Sequence, residues 1–280
     1  MMHPPVFSPA LRVMLALFLF LTGLPPAQAG SRLPDHAGRF QPSDRLGIQL
    51  QVDDKRPLRV PADATVMEVD LFDTPASTLR KIKNSGRQVL CYFSAGSWEA
   101  WRPDADHFPR ALLGKPYAGW PQERWLDIRH PALRPLIAAR LDLARRKGCD
   151  GVDPDNVNGF ENPTGFALTL AGQLRFNRWL AREAHRRGLL IVLKNTGALA
   201  GQLVRDFDAV VSESCLAYDE CHLFEPFVRA GKPVWVLVYP AERSRRNWQR
   251  RCRRLPGPPW HFYALPRQLD GSYRLACRTD

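Results

Sequence analysis

Neither a Gly-x-Gly-x-x-Gly fingerprint nor a phosphate loop occurs in the 280 residues, which removes the usual signatures of dinucleotide and nucleoside-triphosphate enzymes. There is no Cys-x-x-Cys and no paired histidine, so the spacing fits no zinc motif. After the first 29 residues no apolar run approaches the roughly 20 residues of a membrane span. Acid is scarce: 28 Asp and Glu stand against 40 Lys and Arg, for a formal net charge of +12. No internal repeat and no second domain is visible. The length suits one large α/β barrel domain or two small ones.

The N-terminus has the pattern of an export signal. Arg12 gives a thin positive start, Val13 opens an apolar run that ends at Leu24, and Ala27-Gln28-Ala29 is a small-x-small cleavage site. The pattern predicts a secretion signal over 1–29 cut after Ala29, a loosely ordered lead-in over 30–45, and one domain over 46–280. No cysteine follows the apolar run closely, so a lipid anchor is not indicated. The expectation is a secreted or periplasmic protein without stable membrane insertion. Its net charge falls by one when Arg12 leaves.

Six cysteines in an oxidising compartment read as disulfides. Fifteen pairings are possible. Position favours Cys215 with Cys221 in one loop, Cys252 with Cys277 around the last strand, and Cys91 with Cys149 on successive strands. Basic charge concentrates at Arg243, Arg245, Arg246, Arg250, Arg251, Arg253 and Arg254. Such a run can hold nucleic acid or an anionic envelope surface. It lacks interleaved aromatics apart from Trp248, so it reads as a solvated helix face. Nucleic acid is not an expected partner, and a monomer is expected.

Strand signals recur at 46–52, 65–71, 89–93, 149–156, 189–193, 207–211, 233–238 and 260–265. Helical patterns fall at 78–85, 131–147, 170–187, 198–205 and 224–230, followed by the Arg-rich segment. Continuous apolar strands imply burial on both faces, as in parallel sheets covered by helices. Eight such units in this length predict an α/β, single-domain (β/α)8 TIM barrel; a doubly wound open sheet is the alternative. Residues 99–127, with Trp101, Tyr117, Trp120 and Trp125, read as a long polar-aromatic loop.

The chain is organised around Cys149-Asp-Gly-Val-Asp-Pro-Asp-Asn156, where a buried strand runs straight into carboxylates. Unpaired buried charge is costly, and barrel active sites lie at the C-terminal strand ends. Pro154 stiffens the turn. That mouth would collect Asp53 or Asp54, Asp70, Tyr92, Ser94, Asp153, Asp155, Lys194, Asn195, Glu213 and Tyr239. It is acidic although the protein is basic. Glycoside hydrolysis needs two carboxyls across the scissile bond. Asp155 and Glu213, two strands apart, are the candidate catalytic pair, with a separation of about 5 Å within reach. Lys194 between them would lower the pKa of a neighbouring Asp. Candidates for substrate binding are Asp153, Asp70, Tyr92, Ser94 and Asn195, with Trp98, Lys194, Tyr218 and Tyr239. Asp150 reads as a cap or surface salt bridge. The string from Asp153 to Gly159 matches a calcium loop only loosely; no metal and no cofactor is expected.

Cys91-Tyr-Phe-Ser-Ala-Gly-Ser-Trp-Glu99, Trp125-Leu-Asp-Ile-Arg129, the 149–156 stretch, Leu193-Lys-Asn195, and Glu213-Ser-Cys215 with Asp219-Glu-Cys221 together resemble glycoside hydrolase family 114, the endo-α-1,4-polygalactosaminidases. The likeness runs from about Gly47 to Tyr239. It implies a (β/α)8 barrel, secretion, and retaining endo-hydrolysis of α-1,4-linked galactosamine polymers, with Asp155 in the nucleophile position and Glu213 in the acid/base position. The partner implied is a galactosamine-rich polysaccharide. The chain departs from the pattern in reading Ser212-Glu-Ser-Cys215 for Asn-Glu-Gln-Cys, and Asn158 for Asp. The alternatives are a non-catalytic barrel that binds an envelope or biofilm polysaccharide, and a basic surface protein that binds anionic polymers.

Overall fold

The computed structural model describes residues 38–239 and 244–277; the expected signal and the first part of the lead-in lie outside them. In chain order the first strands are β1 (Leu46–Gln49), β2 (Val66–Asp70) and β3 (Gln88–Ser94), with helix α1 (Ala76–Asn84) between the last two. An insert contributes β4 (Ser97–Glu99), β5 (Leu113–Tyr117) and β6 (Trp120–Leu126). Then come α2 (Leu133–Lys147), β7 (Gly151–Asp155), α3 (Leu170–Arg186), β8 (Leu190–Lys194), α4 (Gly197–Leu203) and β9 (Ala209–Glu213). The last part comprises α5 (Cys215–Tyr218), α6 (Glu225–Arg229), β10 (Val234–Val238), α7 (Arg245–Cys252), β11 (Trp260–Ala264) and β12 (Leu275–Ala276). All described residues fall within one compact unit.

Each of the eight expected strand signals is a strand. They pair in the order β1-β2-β3-β7-β8-β9-β10-β11, all parallel, with β12 added antiparallel at the edge. Because side chains alternate along a strand, the sheet has two cores. Leu46, Val66, Leu90, Val192, Val211 and Leu237 share the inner one. Val69, Val89, Val152, Ile191 and Val236 face the helices and join Leu141 and Leu180. The product is a curled mixed sheet with helices outside it, a TIM-barrel-like α/β fold.

The closed eight-strand ladder expected from the sequence is not completed. Among the described residues no ladder joins β1 to β11. Side chains satisfy the backbone there instead: Leu46 N donates to Tyr263 Oη at 2.8 Å, and Arg274 Nε donates to Leu46 O at 2.9 Å. Buried backbone groups need partners, and these two make the seam together with Leu50 N, which donates to Leu269 O at 2.9 Å just beyond the strands. Residues 38–45, read as a loosely held lead-in, are packed against the sheet. Phe40 is buried edge-on to Trp235 with ring centroids 5.2 Å apart, and Trp235 Nε1 donates to Asp44 O at 2.8 Å.

The insert is a further departure. Where the sequence reads as a loop, β4, β6 and β5 form a three-stranded antiparallel sheet in that order. Alternation in 120–126 buries Glu123 and Trp125 while Trp120 stays exposed, and Gly119, at φ +83°, makes the turn from β5. Buried ion pairs bind this sheet to the barrel. Arg102 Nη2 reaches Asp70 Oδ2 at 2.7 Å and Glu99 Oε1 at 2.8 Å. Arg140, 1% exposed on α2, holds Asp104 and donates to Ser94 O at 2.6 Å.

All six cysteines are paired: Cys91–Cys149 joins β3 to the entry of β7, Cys215–Cys221 closes the loop after β9, and Cys252–Cys277 ties α7 to the segment after β12. Of the basic run, Arg245, Arg246, Arg250 and Arg251 are exposed on α7 and Trp248 is buried beneath them; Arg243 lies outside the described residues.

Removing Arg102 leaves the buried Asp70 carboxylate without a cation and Glu99 with only Arg140, 3.9 Å away. Arg102→Met should therefore cost about 3–5 kcal/mol of unfolding free energy, read as a lower midpoint in urea. A loss below about 1 kcal/mol would mean that water replaces the guanidinium.

Candidate active site

Period-two alternation turns Asp153 and Asp155 of β7, Lys194 of β8 and Glu213 of β9 to the same end of the curled sheet, with Tyr92 from β3. Asp153 is fully buried, and its Oδ2 accepts from Lys194 Nζ at 2.8 Å. Asp155 is half-buried and its Oδ2 accepts from Tyr92 Oη at 3.1 Å. Glu213 is held on both oxygens: Tyr239 Oη donates to Oε1, and Asn195 Nδ2 donates to Oε2 at 3.2 Å. Asn195 Oδ1 in return accepts from Glu213 N at 2.8 Å. The two candidate catalytic carboxyls thus come from strands two apart, each with its own tyrosine.

Directly after these strands the backbone turns left-handed at non-glycine residues: Asn156 (φ 61°), Asn195 (φ 49°), Thr196 (φ 53°) and Ser214 (φ 61°). Asn tolerates this region best, and such outliers cluster at functional sites. At Asn156 and Ser214 the turn comes directly after Asp155 and Glu213, and at Asn195 and Thr196 directly after Lys194. The first is locked from behind, since a Cβ on Gly96 would lie 1.7 Å from Asn156 O.

Charge decides the protonation pattern. Burial pushes the Asp155 carboxyl up to about 6; Lys194 opposes this, and Glu213 and Asp153 add to it. Burial works against the Lys194 ammonium, yet attraction from Asp153, then Asp155, Glu213 and Glu68, outweighs it and holds its pKa well above the usual lysine range. Burial and the neighbouring carboxylates, Asp155 for Tyr92 and Glu213 for Tyr239, raise both phenols well above their ordinary value. Both tyrosines therefore remain donors.

Other sequence candidates go elsewhere. The Asp70 carboxyl is buried against Arg102 and caps the backbone of Phe72 and Asp73. Ser94 is fully buried; its Oγ meets Ser97 Oγ at 2.7 Å and accepts from Asn156 Nδ2 at 3.2 Å, so it supports the strand exit rather than facing the mouth. Trp98 donates its indole N–H to Ala105 O. Tyr218 is 71% exposed on α5. Asp53 is an exposed partner of Arg56.

Three residues escaped the sequence reading. Glu68, on β2, is fully buried beneath Asp153 and Lys194. Tyr117 and Glu123 come from the inserted sheet. Burial, then Asp155 and Glu213, raise the Tyr117 phenol, which puts it within their electrostatic reach. Tyr117 also packs on Trp125, with ring centroids 4.8 Å apart. Burial pushes Glu123 up to about 7, against a hydrogen bond from Ser97 Oγ at 2.9 Å. Ser97 Oγ accepts in turn from Asn156 Nδ2 at 2.8 Å, which links Glu123 to the exit of β7. The alternation in 120–126 was the signal available for Glu123.

The sequence model of the glycoside-hydrolase family GH114 matches residues 30–278. The structure of Ega3 from Aspergillus fumigatus in complex with galactosamine is similar, with 34% identity and a TM-score of 0.76 over 85% of this chain and 97% of that one. The glycoside hydrolase domain of PelA from Pseudomonas aeruginosa shares the fold, with a TM-score of 0.62 and 16% identity over 77% of this chain and 94% of that one. No relative was found among curated protein sequences. On the family match and the Ega3 likeness together, the chain belongs to glycoside-hydrolase family GH114 and is a glycoside hydrolase.

Proposed function

We propose that this protein is an exported, retaining endo-hydrolase of α-1,4-linked galactosamine-containing polysaccharide, with Asp155 as nucleophile and Glu213 as acid/base. The observation that carries the reading is the pair itself: two carboxyls from β7 and β9, separately held by Tyr92 and Tyr239, on either side of one buried ammonium. The likeness to an enzyme seen with galactosamine supports the sugar. The half-buried acids suit a cationic amino sugar. Three disulfides and the signal pattern at 1–29 support export. No helix among the described residues is long and apolar enough to cross a membrane.

In the first step an Asp155 oxygen bonds to the anomeric carbon while the bond from that carbon to the bridging oxygen breaks. Glu213 gives its proton to the departing oxygen. In the second, Glu213 takes a proton from water, the water oxygen attacks the anomeric carbon, and Asp155 leaves. Two inversions return the α configuration. Tyr92 orients the attacking carboxyl, and the Asn195 amide with Tyr239 keeps Glu213 in line with the leaving oxygen. Asp153 acts on Asp155 through the Lys194 field.

Asp155→Asn and Glu213→Gln should each lower release of oligosaccharides from partly deacetylated galactosamine polymer by roughly 10²–10⁴-fold while remaining folded. Turnover by Asp155→Asn at the wild-type rate would remove it as nucleophile. Wild-type protein that binds the polymer but releases nothing would make this a binding barrel. Proton NMR of the first products should show the α anomer, and a first-formed β anomer would rule out retention.

Attack requires ionised Asp155, and its pKa lies at about 6. The rate kcat/KM should therefore fall as pH drops through about 6. Replacing Lys194 by Met should move that acid limb to higher pH, because the cation that opposes the upward shift is gone. An unmoved limb would show that another group controls it.

A further inference from the structure

Glu68 has no part in the steps above, yet it sits in the one layer of the curled sheet that joins the apolar inner core to the mouth. Its neighbours in register are Ile48 on β1 and Leu90 on β3, and it is fully buried. Neither of its oxygens receives an N–H or O–H from another described group, and Asp153 Oδ1 is equally without a donor. Asp153 is also close enough to hold the Glu68 carboxyl up. Two carboxylates have only acceptors, so these buried oxygens can serve one another only with a proton on one of the two.

The proton belongs on Glu68. Asp153 already directs its other oxygen at Lys194 Nζ, 2.8 Å away, which favours the ionised form of Asp153. Were Asp153 the neutral partner, Lys194 would lose the only ion pair it makes among the described residues and would stand buried without one. An ionised Glu68 would add a further carboxylate to Asp153 and Asp155 around a single ammonium. The fold alone gains little from an acid here, since an apolar side chain of like volume would pack beside Ile48 and Leu90 with no proton to hold.

We propose that Glu68 is a positioning residue of the active site: as a neutral acid it donates to Asp153 Oδ1, and so fixes the Asp153–Lys194 pair that sets the field at Asp155. The role rests on the reading of Asp155 as nucleophile. Burial first, then the charge of Asp153, hold the Glu68 carboxyl well above its ordinary range; Lys194 opposes and Glu213 adds to the shift.

The test uses the full-length protein with Glu68→Gln and Glu68→Met, both checked for cooperative thermal unfolding. The infrared difference between wild type and Glu68→Gln at neutral pH should contain the carbonyl stretch of one protonated carboxylic acid. Its absence overturns the proposal, and this readout does not depend on activity. Glu68→Met leaves Asp153 Oδ1 without a donor and should lower kcat at least about tenfold, with little change in KM. Glu68→Gln, whose amide still donates, should recover kcat to within about threefold of wild type, with the acid limb in place. Wild-type kcat and pH profile in Glu68→Met would overturn the positioning role. An acid limb moved to lower pH in Glu68→Gln would show that Glu68 carries charge, and would overturn it too. Wild-type protein inactive on every galactosamine polymer would sink the proposed reaction and the positioning role with it, while the infrared band would still decide where the proton sits.

Discussion

The Lys194 ammonium is the single cation around which the mouth is built. It is buried among Asp153, Asp155, Glu213 and Glu68, and every charge at the mouth is referred to it. Taking one ammonium and several carboxyls out of water is costly, and is recovered only when geometry pairs them well. Asp153 supplies that geometry from the adjacent strand. The remaining acids are then held by neutral donors: tyrosine hydroxyls and an asparagine amide. These place a carboxyl without pairing it to a cation, so the proposed catalytic pair is held without a salt bridge while Asp153 is fixed by one.

The same logic operates one layer out. Arg102 and Arg140 are buried cations that join the inserted sheet to the barrel through Asp70, Glu99 and Asp104. The insert in return brings Glu123 and Tyr117 toward the mouth and presses Gly96 against the exit of β7. Two charge networks, one centred on Lys194 and the other on Arg102 and Arg140, thus divide the candidate site from its scaffolding. Asp70 looks like a site residue by its place at a strand end, and belongs to the second network.

How much of this the sequence carried follows from the physics of each element. Parallel strands buried on both faces read as apolar runs, so all eight were legible. Asp153, Asp155 and Glu213 were legible as acids placed where such a run ends. The inserted strands were not, because Gly114, Pro116 and Pro121 interrupt them and their pairing is irregular. Asp70 was misleading because its partner lies 32 positions later in a segment that reads as loop. Glu68 was hidden because one acid in Val-Met-Glu-Val-Asp passes for the solvent phase of an alternating strand. The fate of the 38–45 segment depends on Trp235 and His261, far along the chain and without any local signal.

The seam between the first and eighth barrel strands has a consequence for assembly. Every ladder in the barrel links strands that are neighbours along the chain, so the sheet can grow outward from any local pair. The contact from Leu46 to Tyr263 spans 217 positions. Closing so long a loop is entropically expensive and slow. It rests on a few hydrogen bonds and the shared inner core rather than a full ladder, so closure must wait for both ends of the chain. A chain threaded out N-terminus first would carry an unclosed crescent until its final strand arrived.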